Sequence, residues 1–211
     1  MQNTSSQKIT SLAMLENHYG LAVERALWKE IDHINAHYAQ FIAASPFVIL
    51  ATYGTDGLDC SPRGDPPGFV RIVDEKTLLI PDRRGNNRLD SLRNIIHNPK
   101  VGLIFLVPNV GETIRVSGTA EILIDGELRQ SFAMNGKPAS SVLKINVEKA
   151  YFQCQKALVR SGLWDASTYI DRKQLPSAGD MAQFFSATRG VEFDGKEYDA
   201  NYPQHMQKTI Y

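Results

Sequence analysis

The chain has 211 residues, with 23 Lys or Arg balanced by 23 Asp or Glu, so its formal charge at neutral pH is zero. That balance excludes a global field that would draw nucleic acid or an anionic membrane, and no apolar run approaches the length of a transmembrane helix. The length suits one domain with a sizeable core and added terminal segments.

The first ten residues are polar and carry no apolar signal core, so a cytoplasmic location is expected. Cys60 and Cys154 are far apart in sequence, and the expectation is two reduced, packed thiols. Residues 1–20 read as loosely structured. Over 24–44, Leu27, Ile31, Ile34, Tyr38 and Phe41 form one apolar helical stripe, and Ser45-Pro46 stops it. The apolar run 47–53 reads as a strand buried on both faces. Gly54-Thr55-Asp56-Gly57 is a turn, so 58–61 should return as its hairpin partner. After the rigid loop Arg63-Gly64-Asp65-Pro66-Pro67-Gly68, the segments 69–73 and 77–80 form a second hairpin. A helix over 87–97 ends at Asn98-Pro99. Strands follow at 101–107 and 112–124, with Gly118 a bulge or bend. Asp125 caps a short helix, 141–152 alternates as a strand, and the tail shows one more helix at 180–188. Strands joined by short hairpins, with few helices, predict a closed or half-closed antiparallel barrel.

The most informative stretch is Pro81-Asp82-Arg83-Arg84-Gly85-Asn86-Asn87-Arg88-Leu89, where a strand hands over to a helix. Asn86 or Asn87 reads as the N-cap, with Asp90 completing a capping box. A helix start offers free N–H groups and a partial positive charge. With Arg83, Arg84 and Arg88 added, the stretch reads as a phosphate site on a neutral protein, which suits a small anionic ligand. Arg63, at a strand end, is placed either to bind a ligand carbonyl or phosphate or to pair with Asp65 or Asp82. His33 and His37 are four apart but lack any accompanying metal-site motif, so no metal is expected. Cys60 is in phase with Leu58, and Cys154 with Phe152. Trp164, near Lys156 and Arg160, reads as either a core plug or a ring that stacks on a ligand.

Several separated motifs resemble the FMN-binding split barrels of the pyridoxamine 5′-phosphate oxidase-like class. They are Ser61-Pro62-Arg63-Gly64-Asp65-Pro66-Pro67-Gly68-Phe69-Val70, the stretch from Leu79 to Leu92, Asn98-Pro99-Lys100-Val101-Gly102-Leu103, Glu112-Thr113 through Gly118-Thr119-Ala120, and Lys156-Ala157-Leu158 with Arg160-Ser161-Gly162-Leu163-Trp164. The likeness extends to a bacterial subfamily described as probable FMN-dependent enzymes. It implies a mainly β fold with flanking helices, a six-stranded antiparallel split barrel, and a homodimer with FMN at the subunit interface. It also implies three regions: an extension at 1–44 carrying the amphipathic helix, a flavin-binding barrel at 45–165, and a helical extension at 166–211 packed on the barrel. The cofactor residues it implies are Ser61, Arg63, Asp82, Arg83, Asn86, Asn87 and Arg88, with Lys156, Arg160, Ser161 and Trp164 supplied by the partner.

The substrate-phosphate signature of true pyridoxamine phosphate oxidases is missing, which argues against vitamin B6 synthesis. The resemblance implies an oxidoreductase acting on a small molecule, with no catalytic side chain assigned, because the flavin carries the chemistry. Two alternatives stay open: a non-catalytic flavin sensor or carrier, and a barrel that uses deazaflavin or haem.

Overall fold

The computed structural model describes residues 8–211; the expectation for 1–7 lies outside the described residues. Seven strands build one antiparallel sheet: β1 (Phe47–Gly54), β2 (Gly57–Gly64), β3 (Arg71–Asp74), β4 (Thr77–Asp82), β5 (Lys100–Leu106), β6 (Thr113–Leu123) and β7 (Ser141–Gln153). Their order is β2-β1-β5-β6-β7-β4-β3. The six strands implied by the family likeness are therefore one too few. The sheet is also open, since β2 and β3 stand at its two ends and do not pair.

The core lies on the inner face of this curved sheet. Val48 and Leu50 of β1, Leu103 and Phe105 of β5, Ile114 and Val116 of β6, Leu143 and Ile145 of β7, and Leu78 and Ile80 of β4 are all buried. The run 47–53, expected to be buried on both faces, is buried on one. Val48, Leu50 and Thr52 point inward and alternate with half-exposed or exposed Phe47, Ile49, Ala51 and Tyr53. Two helices close the ends of this core. Helix α3 (Ala36–Ala44) contributes buried Tyr38 and Ile42. Helix α4 (Asp90–His97) contributes Ile95 and Asn94, and the Asn94 amide donates to Thr52 Oγ1 at 3.1 Å and to the Gly57 carbonyl at 3.2 Å. A buried amide with two acceptors costs little to desolvate.

The single helix expected over 24–44 is two, α2 (Glu24–Trp28) and α3, after an earlier helix α1 (Leu12–Tyr19) in the stretch expected to be loose. The break has a tertiary cause. Ile31 exchanges both backbone hydrogen bonds with Ala150 of β7, at 2.9 and 2.7 Å, and is therefore held extended. Asn35 then restarts the helix by accepting from the Tyr38 N–H at 2.9 Å. Of the stripe, Ile34 and Tyr38 are buried, Ile31 and Phe41 half-buried, and Leu27 is left exposed.

Asp125 caps α5 (Gly126–Ser131) as expected, accepting from the Leu128 N–H at 2.8 Å. The tail holds more helix than expected. It contains α6 (Lys156–Ser161), α7 (Ala178–Ala187) and α8 (Gly195–Thr209), with Pro203 inside α8. Both cysteines are exposed rather than packed: the face of β2 that carries Leu58 and Cys60 turns outward, and Cys154 lies just past the end of β7. No helix among the described residues is long and apolar enough to cross a membrane.

Gly118 sits at the register shift between β6 and β7. A Cβ there would lie 1.9 Å from the Asn146 carbonyl oxygen, whereas one on Gly102 would meet only the Ala51 Cβ at 3.8 Å. Because the obstacle at Gly118 is backbone, no rotamer change relieves it. Gly118→Ala should lower unfolding free energy by about 1–3 kcal/mol, with Gly102→Ala near neutral. Urea denaturation of the pair checks this, and equal stabilities would refute the close approach.

Candidate functional site

An open cleft of 510 Å³ lies between the ends of β2 and β4 and the loop that leads into α4. The gap in the sheet is bridged here by side chains. Arg63 Nη1 of β2 pairs with Asp82 Oδ1 of β4. Just beyond, Arg83 Nε donates to Asp65 Oδ2 at 2.7 Å. Cation and anion are thus exchanged in opposite senses across the seam, and all four side chains are largely withdrawn from water, Asp65 to 3% exposure. Arg83 is committed further: its Nη1 donates to the Phe132 carbonyl at 2.7 Å and its guanidinium lies 5.6 Å from the Tyr211 ring centre. Tyr211 Oη donates to the second Asp65 oxygen at 2.7 Å. That bond, followed by burial, raises the Tyr211 pKa above its ordinary 10.0.

Arg83, expected to hold a phosphate, therefore already spends two of its five N–H donors on the seam, while it still lines the cleft. Arg63 meets its expected alternatives differently: Asp82 takes one nitrogen, while its Nε is buried with no partner among the described residues. A buried, unsatisfied donor is costly, and a ligand acceptor in the cleft would satisfy it.

The helix start also differs from expectation. Helix α4 begins at Asp90, with Leu89 rather than Asn86 or Asn87 at the N-cap and no side-chain cap. Asn86 Oδ1 instead accepts from the Arg88 N–H at 3.1 Å. Asp90 does not form a capping box; its carboxylate holds Arg88 Nε at 2.7 Å. Asn87 and Leu89 both have left-handed backbone, with φ of 58° and 61°. Asn tolerates that region and Leu does so at a cost of about 1–2 kcal/mol. The first N–H groups of α4 are left without side-chain acceptors beside exposed Arg84, Asn86, Asn87 and Arg88.

Ser61, Arg63, Asp82, Arg83, Asn86, Asn87 and Arg88 all line this one cleft. Lys156, Arg160, Ser161 and Trp164 do not line it within the same chain. Trp164 is half-buried, and its indole N–H donates to the Val110 carbonyl at 2.9 Å. Sequence reasoning missed Asp59, Phe69, Ser91 and Ser140, which also line the cleft. Asp59 had a signal: it shares the inward-leaning face of β2 with Ser61 and Arg63 at period two, and it accepts from Ser91 Oγ at 2.6 Å.

Removing one member of a buried ion pair strands the other. Asp82→Ala should cost about 3–5 kcal/mol, while Asp82→Leu combined with Arg63→Met should recover much of that loss. Chemical denaturation of the single and double variants checks it. The Tyr211 contact has its own pH signature. A raised folded-state pKa stabilises below the unfolded value and is lost as pH rises through the folded one. Unfolding free energy should therefore fall above pH 10 more steeply in the parent protein than in Tyr211→Phe, as denaturation series across that range would show.

The family model described as "Pyridoxamine 5'-phosphate oxidase" matches residues 34–154. No curated protein matches the chain. Solved structures similar to it include HupZ of Group A Streptococcus, at 23% identity over 56% of this chain and 91% of that one, with a TM-score of 0.46. Another is a putative pyridoxamine 5′-phosphate oxidase of Lactobacillus delbrueckii, at 22% identity over 57% and 95%, with a TM-score of 0.42. A third is an FMN-binding protein of Syntrophomonas wolfei, at 13% identity over 66% and 96%, with a TM-score of 0.41. With its matched segment running from the end of the α2–α3 linker through β7, the chain belongs to the pyridoxamine 5′-phosphate oxidase-like family.

Proposed function

We propose that the protein is an FMN-dependent oxidoreductase acting on a small substrate, and that it works as a homodimer. One observation carries the reading: the cleft places a buried, unpartnered arginine nitrogen opposite a basic loop and an uncapped helix start. The donor set fits FMN at both ends. Arg84 and Arg88, the Asn86 and Asn87 amides and the first N–H groups of α4 would hold the phosphate. Arg63 Nε and Ser61, on the strand flank, would donate to the ribityl chain or the ring edge. Phe69 and Pro62 offer apolar surface between them. The cleft volume of 510 Å³ lies within the usual range of about 300–1,000 Å³ for cofactor pockets.

When bound, the flavin would supply hydride or electron transfer. The chain's own part is to anchor the phosphate, fix the ring against the β2 flank through Arg63, and limit water on that side. The Arg63–Asp82 pair fixes the position of Arg63 Nε, so Asp82 acts as a positioning residue. A second copy belongs to the proposal because Lys156, Arg160, Ser161 and Trp164 lie outside the cleft of their own chain. Exposed Val159 and Leu163 on that same segment offer apolar surface to a partner.

A visible spectrum of the purified protein separates flavin bands from a Soret band. Reduction by nicotinamide donors then separates an enzyme from a carrier. Flavin titration should show FMN bound about tenfold to a hundredfold more weakly by Arg84→Ala/Arg88→Ala, the equivalent of roughly 1.5–3 kcal/mol for a charge-assisted contact. Both side chains are exposed, so the fold should survive. Unchanged affinity would remove the phosphate assignment, and a flavin-loaded monomer in sedimentation would remove the shared site.

A further inference from the structure

Beside the cleft lies a second, smaller recess of 190 Å³. It shares Arg83, Arg84 and Ser140 with the cleft but is completed by Lys137, from the loop before β7, and by Lys208 and Tyr211 from the tail. Its lining brings together four cationic side chains and no acidic side chain. Arg83 is neutralised by Asp65. Lys137 Nζ donates to the main-chain oxygen of Tyr211, which leaves Arg84 and Lys208 as the cations that decide the recess. Arg84 and Lys208 have no ion pair among the described residues. Like charges gathered around one small volume repel, and they attract an anion into it.

We propose that this recess is a second anion subsite, taking a phosphate- or carboxylate-sized group that lies across Arg83 and Arg84 from the cleft. At 190 Å³ it falls below the roughly 300 Å³ lower bound of whole-ligand pockets. It therefore suits one anionic group of a ligand whose remainder lies elsewhere, with the Ser140 hydroxyl and the lysine ammoniums as donors. The group has two possible sources. It belongs either to an anionic substrate that sits beside the flavin or to a cofactor that carries a further phosphate. The subsite stands on its own lining and does not require that the cleft hold FMN.

The two sites have separate reporters: Lys208 lines only the recess and Arg88 only the cleft. Phosphate and pyrophosphate are titrated calorimetrically into the full chain, with and without saturating FMN. On FMN-saturated protein, where the cleft is filled, saturable binding should weaken about tenfold or more in Lys137→Gln/Lys208→Gln, and should be unaffected by Arg88→Ala. Lys208→Gln alone keeps the test readable if loss of the Lys137–Tyr211 contact disturbs the tail. Phosphate binding that persists on FMN-saturated protein supports the substrate source. An affinity for FAD above that for FMN, lost in the lysine variants, supports the cofactor source. Anion binding that Arg88→Ala abolishes and the lysine variants leave intact would overturn the subsite, as would no binding at all. If FMN fails to bind while phosphate binding remains lysine-dependent, the flavin reading falls and this subsite stands.

Discussion

The reciprocal ion pairs between the ends of β2 and β4 hold the architecture together. Backbone hydrogen bonds do not close this sheet, since β2 and β3 remain unpaired edges. Pro62 and Pro81 immediately precede Arg63 and Asp82 on the two flanking strands, and neither brings an N–H to the gap. Open edges invite pairing with other chains. Here Arg63 with Asp82, and Arg83 with Asp65, span the gap instead. These pairs are partly desolvated, so each charge depends on its partner far more than a surface ion pair would.

That dependence divides the basic loop into two kinds of arginine. Arg83 is structural first, tied to Asp65, to the Phe132 carbonyl and, through Asp65, to Tyr211. Arg84 and Arg88 are exposed, Arg88 with its Nε on the neighbouring Asp90. The gap that the sheet leaves open becomes the cleft, and the same groups that bridge it form the cleft wall. Arg63 combines the two roles, with one nitrogen on Asp82 and its Nε buried toward no protein acceptor.

The tail bears on the same wall. Helices α7 and α8 pack on each other through the close approach of Gly179 and Gly195, where a Cβ on Gly179 would lie 2.0 Å from the Gly195 carbonyl oxygen. The end of the described chain then reaches the seam through Tyr211, which bonds Asp65 and accepts from Lys137. A change in how the tail sits would therefore be felt at Arg83, and through it at both the cleft and the recess beside it.

The sequence by itself determined the strands and their turns. Alternation of period two marks β6 and β7, Gly118 marks the bulge between them, and Asp125 marks a cap, because these signals depend on neighbours a few residues away. It also picked out residues that meet, since Ser61, Arg63 and the 82–88 loop line a single cleft. Only the tertiary structure decided the rest. Ile31 is drawn out of its helical stripe by Ala150, a partner more than a hundred residues later. The outward turn of β2 exposes Cys60. Asp65 pairs with Arg83, and Lys137 and Lys208 line one recess beside it. In each case a long-range pairing or burial outweighed a local preference of about a kilocalorie or less per residue, and a linear pattern carries no record of such partners.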